Sequence, residues 1–195
     1  MINEHFLIPP IPFWIRKQLH RPCWKWNLII KSLIMPNKKE KIINEIKKVT
    51  GCNKVILYES GTSALYHLLI KLHKSYERTE VIMPSYCCKS VANAVIQAGL
   101  TPHFVDVEDD FMVSVRTIEP ALNNKTLAII VPHMYNKKAD MLPIIDLACC
   151  CLGITVIEDK ANRIQDELIA PYGILSFNIG KQIQSTGGGA LLTKY

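Results

Sequence analysis

Three short stretches of this chain hold residue types that do chemistry once brought together. The first is Gly61-Thr62-Ser63-Ala64, between an apolar run and a helix-forming run. Glycine permits a tight turn, and a helix start presents unpaired N–H groups at the positive end of its dipole. With the Thr62 and Ser63 hydroxyls, such a turn receives a phosphate well. Taken alone, Ser-Gly-Thr-Ser before a helix is more often a plain N-cap. The second stretch is Val156-Ile157-Glu158-Asp159, where apolar residues lead to acids at a strand end. A buried carboxylate is costly unless it meets a positive charge, so Asp159 suits a ligand with a cationic ring nitrogen. An Asp capping a surface turn fits the pattern equally. The third runs from Ser176-Phe177-Asn178-Ile179-Gly180-Lys181 to Gly187-Gly188-Gly189-Ala190. A lysine among apolar groups, or beside another cation, has a lowered pKa and becomes a usable nucleophile. The glycines allow close backbone approach to a flat ligand. Taken singly, a lysine is more often a solvated surface residue.

These stretches need a scaffold that ends strands where they sit, and the hydrophobic pattern supplies one. Ile42, Ile43, Ile46 and Val49 recur at helical spacing through 38–49. Short apolar runs then alternate with helical patterns: strands over 54–58, 80–83, 102–107, 127–132, 155–158 and 190–193, helices over 64–73, 90–98, 114–122 and 139–152. Pro143 falls early in the last helix, where a first turn tolerates it. Repeated β-α units predict an α/β fold: a mostly parallel, mixed sheet covered by helices on both faces. In such sheets ligands gather at the carboxyl ends of strands, which is where the phosphate turn and Asp159 fall.

Composition sets the outer bounds. The 195 residues are 49% hydrophobic, an ordinary globular balance. Seven cysteines, three of them consecutive at 149–151, make no disulfide framework, and no CxxC pair offers a zinc site. A reducing cytoplasm is the expected setting. Apolar runs at 6–15 and 29–35 are too short to span a bilayer. Residues 1–50 hold ten Lys/Arg against three acids, a balance of +7, which leaves −1 for residues 51–195. This basic arm, taken as residues 1–37 and carrying Trp14, Trp24 and Trp26, reads as a solvated lead-in with apolar anchors. No nucleic-acid or membrane-binding motif accompanies its charge. Residues 38–195 form the expected domain.

Order and spacing link the three stretches. Together with Glu80-Val81-Ile82-Met83-Pro84-Ser85-Tyr86, Gly99 through Val107, and Val131-Pro132-His133-Met134-Tyr135, the series over about 40–195 resembles the DegT/DnrJ/EryC1/StrS family of sugar aminotransferases. These enzymes use pyridoxal 5'-phosphate (PLP) and have the aspartate-aminotransferase fold, so the resemblance implies a three-layer PLP-transferase large domain without the smaller C-terminal domain. It implies that Lys181 is the Schiff-base lysine and the proton shuttle. It further implies that Asp159 pairs with the pyridine nitrogen, and that Gly61, Thr62, the backbone around Ser63, and Ser176 hold the phosphate. The implied reaction moves an amino group, usually from glutamate, to a keto group on a nucleotide-linked sugar for polysaccharide, lipopolysaccharide or glycoside synthesis. A homodimer is the family habit; neither nucleic acid nor a metal is expected. Lysine rather than histidine at 181 points to the aminotransferase branch and away from dehydration.

Departures from the family pattern are specific. Cys88 stands where an aromatic ring commonly stacks on the cofactor, leaving Tyr86 as the residue that would compensate. Asn162 replaces a Gln or His beside the cofactor hydroxyl, Asn136 replaces a glycine, and Lys160 replaces a small residue. A cation at 160 is expected to compete with the cofactor for Asp159. The chain also has about half the usual family length, which leaves a second reading: a truncated or divergent, non-catalytic member that keeps the fold as an interaction module.

Overall fold

The computed structural model describes residues 38–135, 137–150, 153–178, 180–183, 185 and 187–195. The basic arm, with its three tryptophans, lies outside these residues, as does Asn136. In chain order the elements are α1 (Lys38–Thr50), β1 (Lys54–Tyr58), α2 (Gly61–Ser75), β2 (Glu80–Pro84), α3 (Lys89–Gln97), β3 (Thr101–Val105), α4 (Val115–Ile118) with a 3-10 turn (Glu119–Ala121), β4 (Thr126–Pro132), α5 (Met141–Cys150), β5 (Thr155–Asp159), β6 (Tyr172–Ser176) and β7 (Gly189–Thr193).

The strands form one seven-stranded sheet in the order β1-β7-β6-β5-β4-β2-β3. β7 runs antiparallel to both neighbours, and the pairs from β6 across to β3 are parallel. Six strands therefore deliver their carboxyl ends, Tyr58, Pro84, Val105, Pro132, Asp159 and Ser176, to one edge of the sheet.

Side-chain alternation sorts the core into two faces. Val81, Met83, Ala128, Ile130, Ile157, Ile174 and Leu191 pack with Ala64, Leu65, Leu68 and Leu69 of α2 and with Val91, Ala94 and Val95 of α3. The intervening residues Ile82, Ile129, Val131 and Val156 pack on the other face with Ile118, Met141, Ile144 and Ala148. Leu175, Ala190 and Leu192 meet Ile46 of α1 and Cys52. Both faces are covered, as the apolar strands require.

Four differences from the expected elements have local causes. β6 is absent from the sequence-based list because Gly173 interrupts a run of five. The buried Leu168 side chain packs into the space left by the missing one, with Cδ1 2.6 Å from where a Cβ would lie. The helix expected from Ala139 starts at Met141, because the Ala139 N–H donates to His133 Nδ1 at 3.2 Å. The helix expected over 114–122 shortens to one turn, with Ser114 and Thr117 forming a reciprocal capping box and Pro120 carrying the chain into the 3-10 turn. β3 stops at Val105; beyond it, the Asp106 carboxylate accepts the Val107 N–H.

Candidate active site

At the carboxyl edge, α2 begins directly after β1. Ser60 is extended at φ −159° and caps the helix, its hydroxyl accepting the Ser63 N–H at 3.0 Å. The first helical bond runs from the Ala64 N–H to Ser60 O, so the N–H groups of Gly61 and Thr62 lie ahead of the ladder. A Cβ on Gly61 would stand 2.9 Å from Leu175 O and 3.1 Å from Ser176 Cβ. Glycine at 61 thus lets the helix start seat against the end of β6, beside Ser176.

A cleft of about 320 Å³ opens at this junction. Gly61, Thr62, Cys88, Asp159, Asn162, Ser176 and Lys181 all line it, with Leu65, Val91 and Ile174 as apolar wall. Seven of the eight residues singled out from sequence therefore converge. Ser63 does not line the cleft: its N–H serves the cap, and its hydroxyl donates to Glu59 Oε1 at 2.5 Å. Pro132, Met134, Ala161, Asn178, Ser90 and Cys87 complete the lining. Pro132 ends β4, next to Asp159 in register, so the strand-end rule carried the signal for it.

Asp159 ends β5, with Oδ1 accepting the Ala161 N–H at 2.9 Å. Burial pushes its carboxyl above the usual range, against the opposing pull of that N–H, of Lys181 and of His133. Lys181 reaches in from the loop after β6 and donates to Asn162 Oδ1 at 2.8 Å. The Cys88 thiol is held below its ordinary pKa, chiefly by the Ser90 hydroxyl that donates to its sulfur at 3.1 Å, and also by the Lys181 charge. Burial pushes the neighbouring Cys87 up to about 11.

Three expectations are corrected. Lys160 does not compete for Asp159: its ammonium is buried on the other face of β5 and donates to Glu158 Oε1 at 3.2 Å. Tyr86 does not line the cleft; its ring contacts Phe111 and Tyr135. The glycine run approaches backbone and not the cleft, since a Cβ on Gly189 would fall 2.3 Å from Gly61 N, and Gly187–Gly189 line a separate apolar groove beside α1.

The fold is that of the PLP-transferase large domain. Helicobacter pylori PseC, an aminotransferase of pseudaminic acid biosynthesis, superposes with a TM-score of 0.80 at 20% identity, covering 91% of this chain and 52% of that one. The NtdA structure from Bacillus subtilis, solved with bound cofactor PMP, gives 0.74 at 29% identity, covering 83% and 38%. Residues 26–195 match the DegT/DnrJ/EryC1/StrS aminotransferase family, and the chain belongs to it. It is 32% identical over 169 residues to the UDP-N-acetyl-3-dehydro-alpha-D-glucosamine 3-aminotransferase of Acidithiobacillus ferrooxidans, covering 83% of this chain and 45% of the relative. It is also 32% identical over 165 residues to the GDP-perosamine synthase of Escherichia coli O157:H7, covering 80% and 45%. The chain spans about half the length of these curated relatives.

Proposed function

We propose that this chain is the cofactor-holding part of a PLP-dependent aminotransferase that moves an amino group from glutamate to a keto sugar nucleotide, acting as a cytoplasmic homodimer. The supporting observation is the convergence of Asp159, Lys181, Thr62 and Ser176 on one cleft that Gly61 also lines. This donor set fits pyridoxal 5'-phosphate: a helix start and two hydroxyls for the phosphate, a carboxylate for the ring nitrogen, and a lysine for the aldehyde carbon.

When bound, PLP supplies an electron sink for the carbon that gains or loses the amino group. The chain's own residues do the rest. The N–H groups of Gly61 and Thr62 and the Thr62 and Ser176 hydroxyls bind the phosphate and fix the ring's register. Asp159 pairs with the ring nitrogen and keeps it protonated; burial of its carboxyl strengthens that pairing. Asn162 orients Lys181 through its Oδ1, and Lys181 Nζ holds the proton that moves to and from the substrate carbon. Leu65, Val91 and Ile174 exclude water from one side.

The test is direct. Addition of PLP to the chain gives a near-visible absorption band in the wild type and none in Lys181→Ala; borohydride reduction then fixes the added mass on Lys181. A wild-type chain without the band sinks the cofactor reading and favours a fold kept as an interaction module. Amino transfer is a separate assay, with glutamate and a keto sugar nucleotide.

A further inference from the structure

Beside the cleft, three aromatic rings stand together in solvent. Tyr86, Phe111 and Tyr135 are 43%, 45% and 61% exposed. Tyr86 lies 5.2 Å from Phe111 and 6.4 Å from Tyr135 between ring centroids, and Phe111 meets Tyr135 edge-on at 5.7 Å. The Tyr86 and Tyr135 hydroxyls are hydrogen-bonded to each other. The rings come from the loops after β2, β3 and β4, all at the carboxyl edge. Two of them adjoin the cleft in sequence: Tyr86 precedes Cys87 and Cys88, and Tyr135 follows Met134, all three of which line it.

Backbone strain marks the same cluster. Among the described residues, the non-glycine residues with positive φ are Phe111, at 68°, and Tyr135, at 49°. Left-handed backbone disfavours large side chains, and such outliers persist where the surroundings hold them. Here tight turns hold them: the Phe111 N–H donates to Glu108 O, the Glu108 N–H to Met112 O, and the Lys137 N–H to Met134 O. Glycine would relieve both positions, yet each carries an aromatic ring that stays well exposed.

We infer that Tyr86, Phe111 and Tyr135 form a stacking platform for the base of a nucleotide whose other end enters the cleft. Aromatic faces accept any flat base, and clustered rings present a wide apolar surface without a fixed hydrogen-bond code. The platform thus sets affinity for the nucleotide part while leaving base identity loosely read. This inference rests on the reading of the site as one for a sugar nucleotide.

The experiment titrates the PLP-treated full chain with UDP, GDP and dTDP, and with pyrophosphate as a probe without a base, by calorimetry. Phe111→Gly and Tyr135→Gly are the variants of choice, because glycine accepts the native φ and folding is not put at risk. Each is expected to weaken all three nucleotides by about tenfold. Pyrophosphate affinity and the near-visible PLP band stay unchanged. Nucleotides that bind no better than pyrophosphate, or equally well in both variants, overturn the platform. So does a change confined to the association state, seen by light scattering, which would make the cluster a contact between two copies. A missing PLP band alongside ring-dependent nucleotide binding defeats the cofactor reading and leaves the platform standing.

Discussion

Glu158 and Asp159 are neighbours in β5, yet their carboxylates serve opposite faces of the sheet. Asp159 follows Ile157 in the alternation toward α2 and opens into the cleft. Glu158 follows Val156 to the other face and is fully buried. There Oε1 receives His133 Nε2 at 2.8 Å and Lys160 Nζ at 3.2 Å, while Oε2 accepts the N–H groups of Ile169 and Ala170 at 2.9 and 3.2 Å. Because the Ala139 N–H donates to His133 Nδ1, the ring proton sits on Nε2 and points at Glu158. The His133 N–H also donates to Asp159 O at 3.1 Å, tying this network to the strand end that carries the candidate carboxylate.

The network makes the fold acid-sensitive. Desolvation raises the Glu158 carboxyl, but His133, Lys160 and the two backbone donors together outweigh it and bring the value down to about 2. A carboxyl depressed in the folded state contributes stability that is fully present above its unfolded value near 4.5 and is lost as pH falls toward 2. The contribution is on the order of 3 kcal/mol. Urea midpoints measured from pH 6 to pH 2.5 are expected to fall more steeply for the wild type than for Glu158→Gln; parallel curves would refute the assignment.

Lys160→Met removes one cation from a buried carboxylate and is expected to cost about 3 kcal/mol in urea unfolding at pH 8. Lys160 serves Glu158 and not Asp159, so the near-visible PLP band of this variant matches that of the wild type once protein is folded and saturated. A stronger band in the variant would show instead that Lys160 draws charge away from Asp159.

Much of this was legible in the sequence. The alternation that splits Glu158 and Lys160 from Asp159 is the plain period of two in a strand, and extending it by one residue places Lys160 with Glu158. The convergence of Gly61, Asp159 and Lys181 at strand ends follows from parallel topology. Tertiary contact decided the rest. Gly173 reads as a strand breaker until Leu168 is seen filling the space its Cβ would take. The Gly187–Gly189 run reads as a ligand loop until Gly189 is found against the start of α2. Ser63 reads as a phosphate donor until Ser60 and Glu59 claim both of its groups.

Asp159 holds a charge that the apo fold disfavours. Its carboxyl is raised, first by burial, so the stability it contributes is complete below the unfolded pKa and is lost as pH rises through the folded one. Asp159→Asn is therefore expected to raise the melting temperature of the cofactor-free chain at pH 8 by roughly 2–4 °C, with the gain shrinking near pH 4. The same variant loses PLP affinity, since a neutral amide no longer holds a protonated ring nitrogen. Scanning calorimetry at the two pH values and PLP titration check both halves. A variant less stable than the wild type at pH 8 would contradict the burial argument.

Cys88 and Cys87 offer an internal comparison of thiol chemistry at the cleft. Cys88 precedes α3 as its N-cap, where the helix dipole favours an anion. The Ser90 hydroxyl donates to its sulfur, and Lys181 lends positive charge. Cys87, half-buried and raised to about 11, presents almost no thiolate at pH 8. Iodoacetamide at pH 8 is expected to modify Cys88 more than about tenfold faster than Cys87, resolved by fragment-ion mass spectrometry so that the exposed Cys149 and Cys150 do not interfere. Lys181→Ala slows Cys88 by a few-fold because it removes a cation that favours the thiolate. Saturating PLP protects Cys88, because both occupy one cleft. Equal labelling of the two thiols would refute the electrostatic account. Protection lost in Lys181→Ala but kept in Asn162→Ala would assign it to covalently held cofactor.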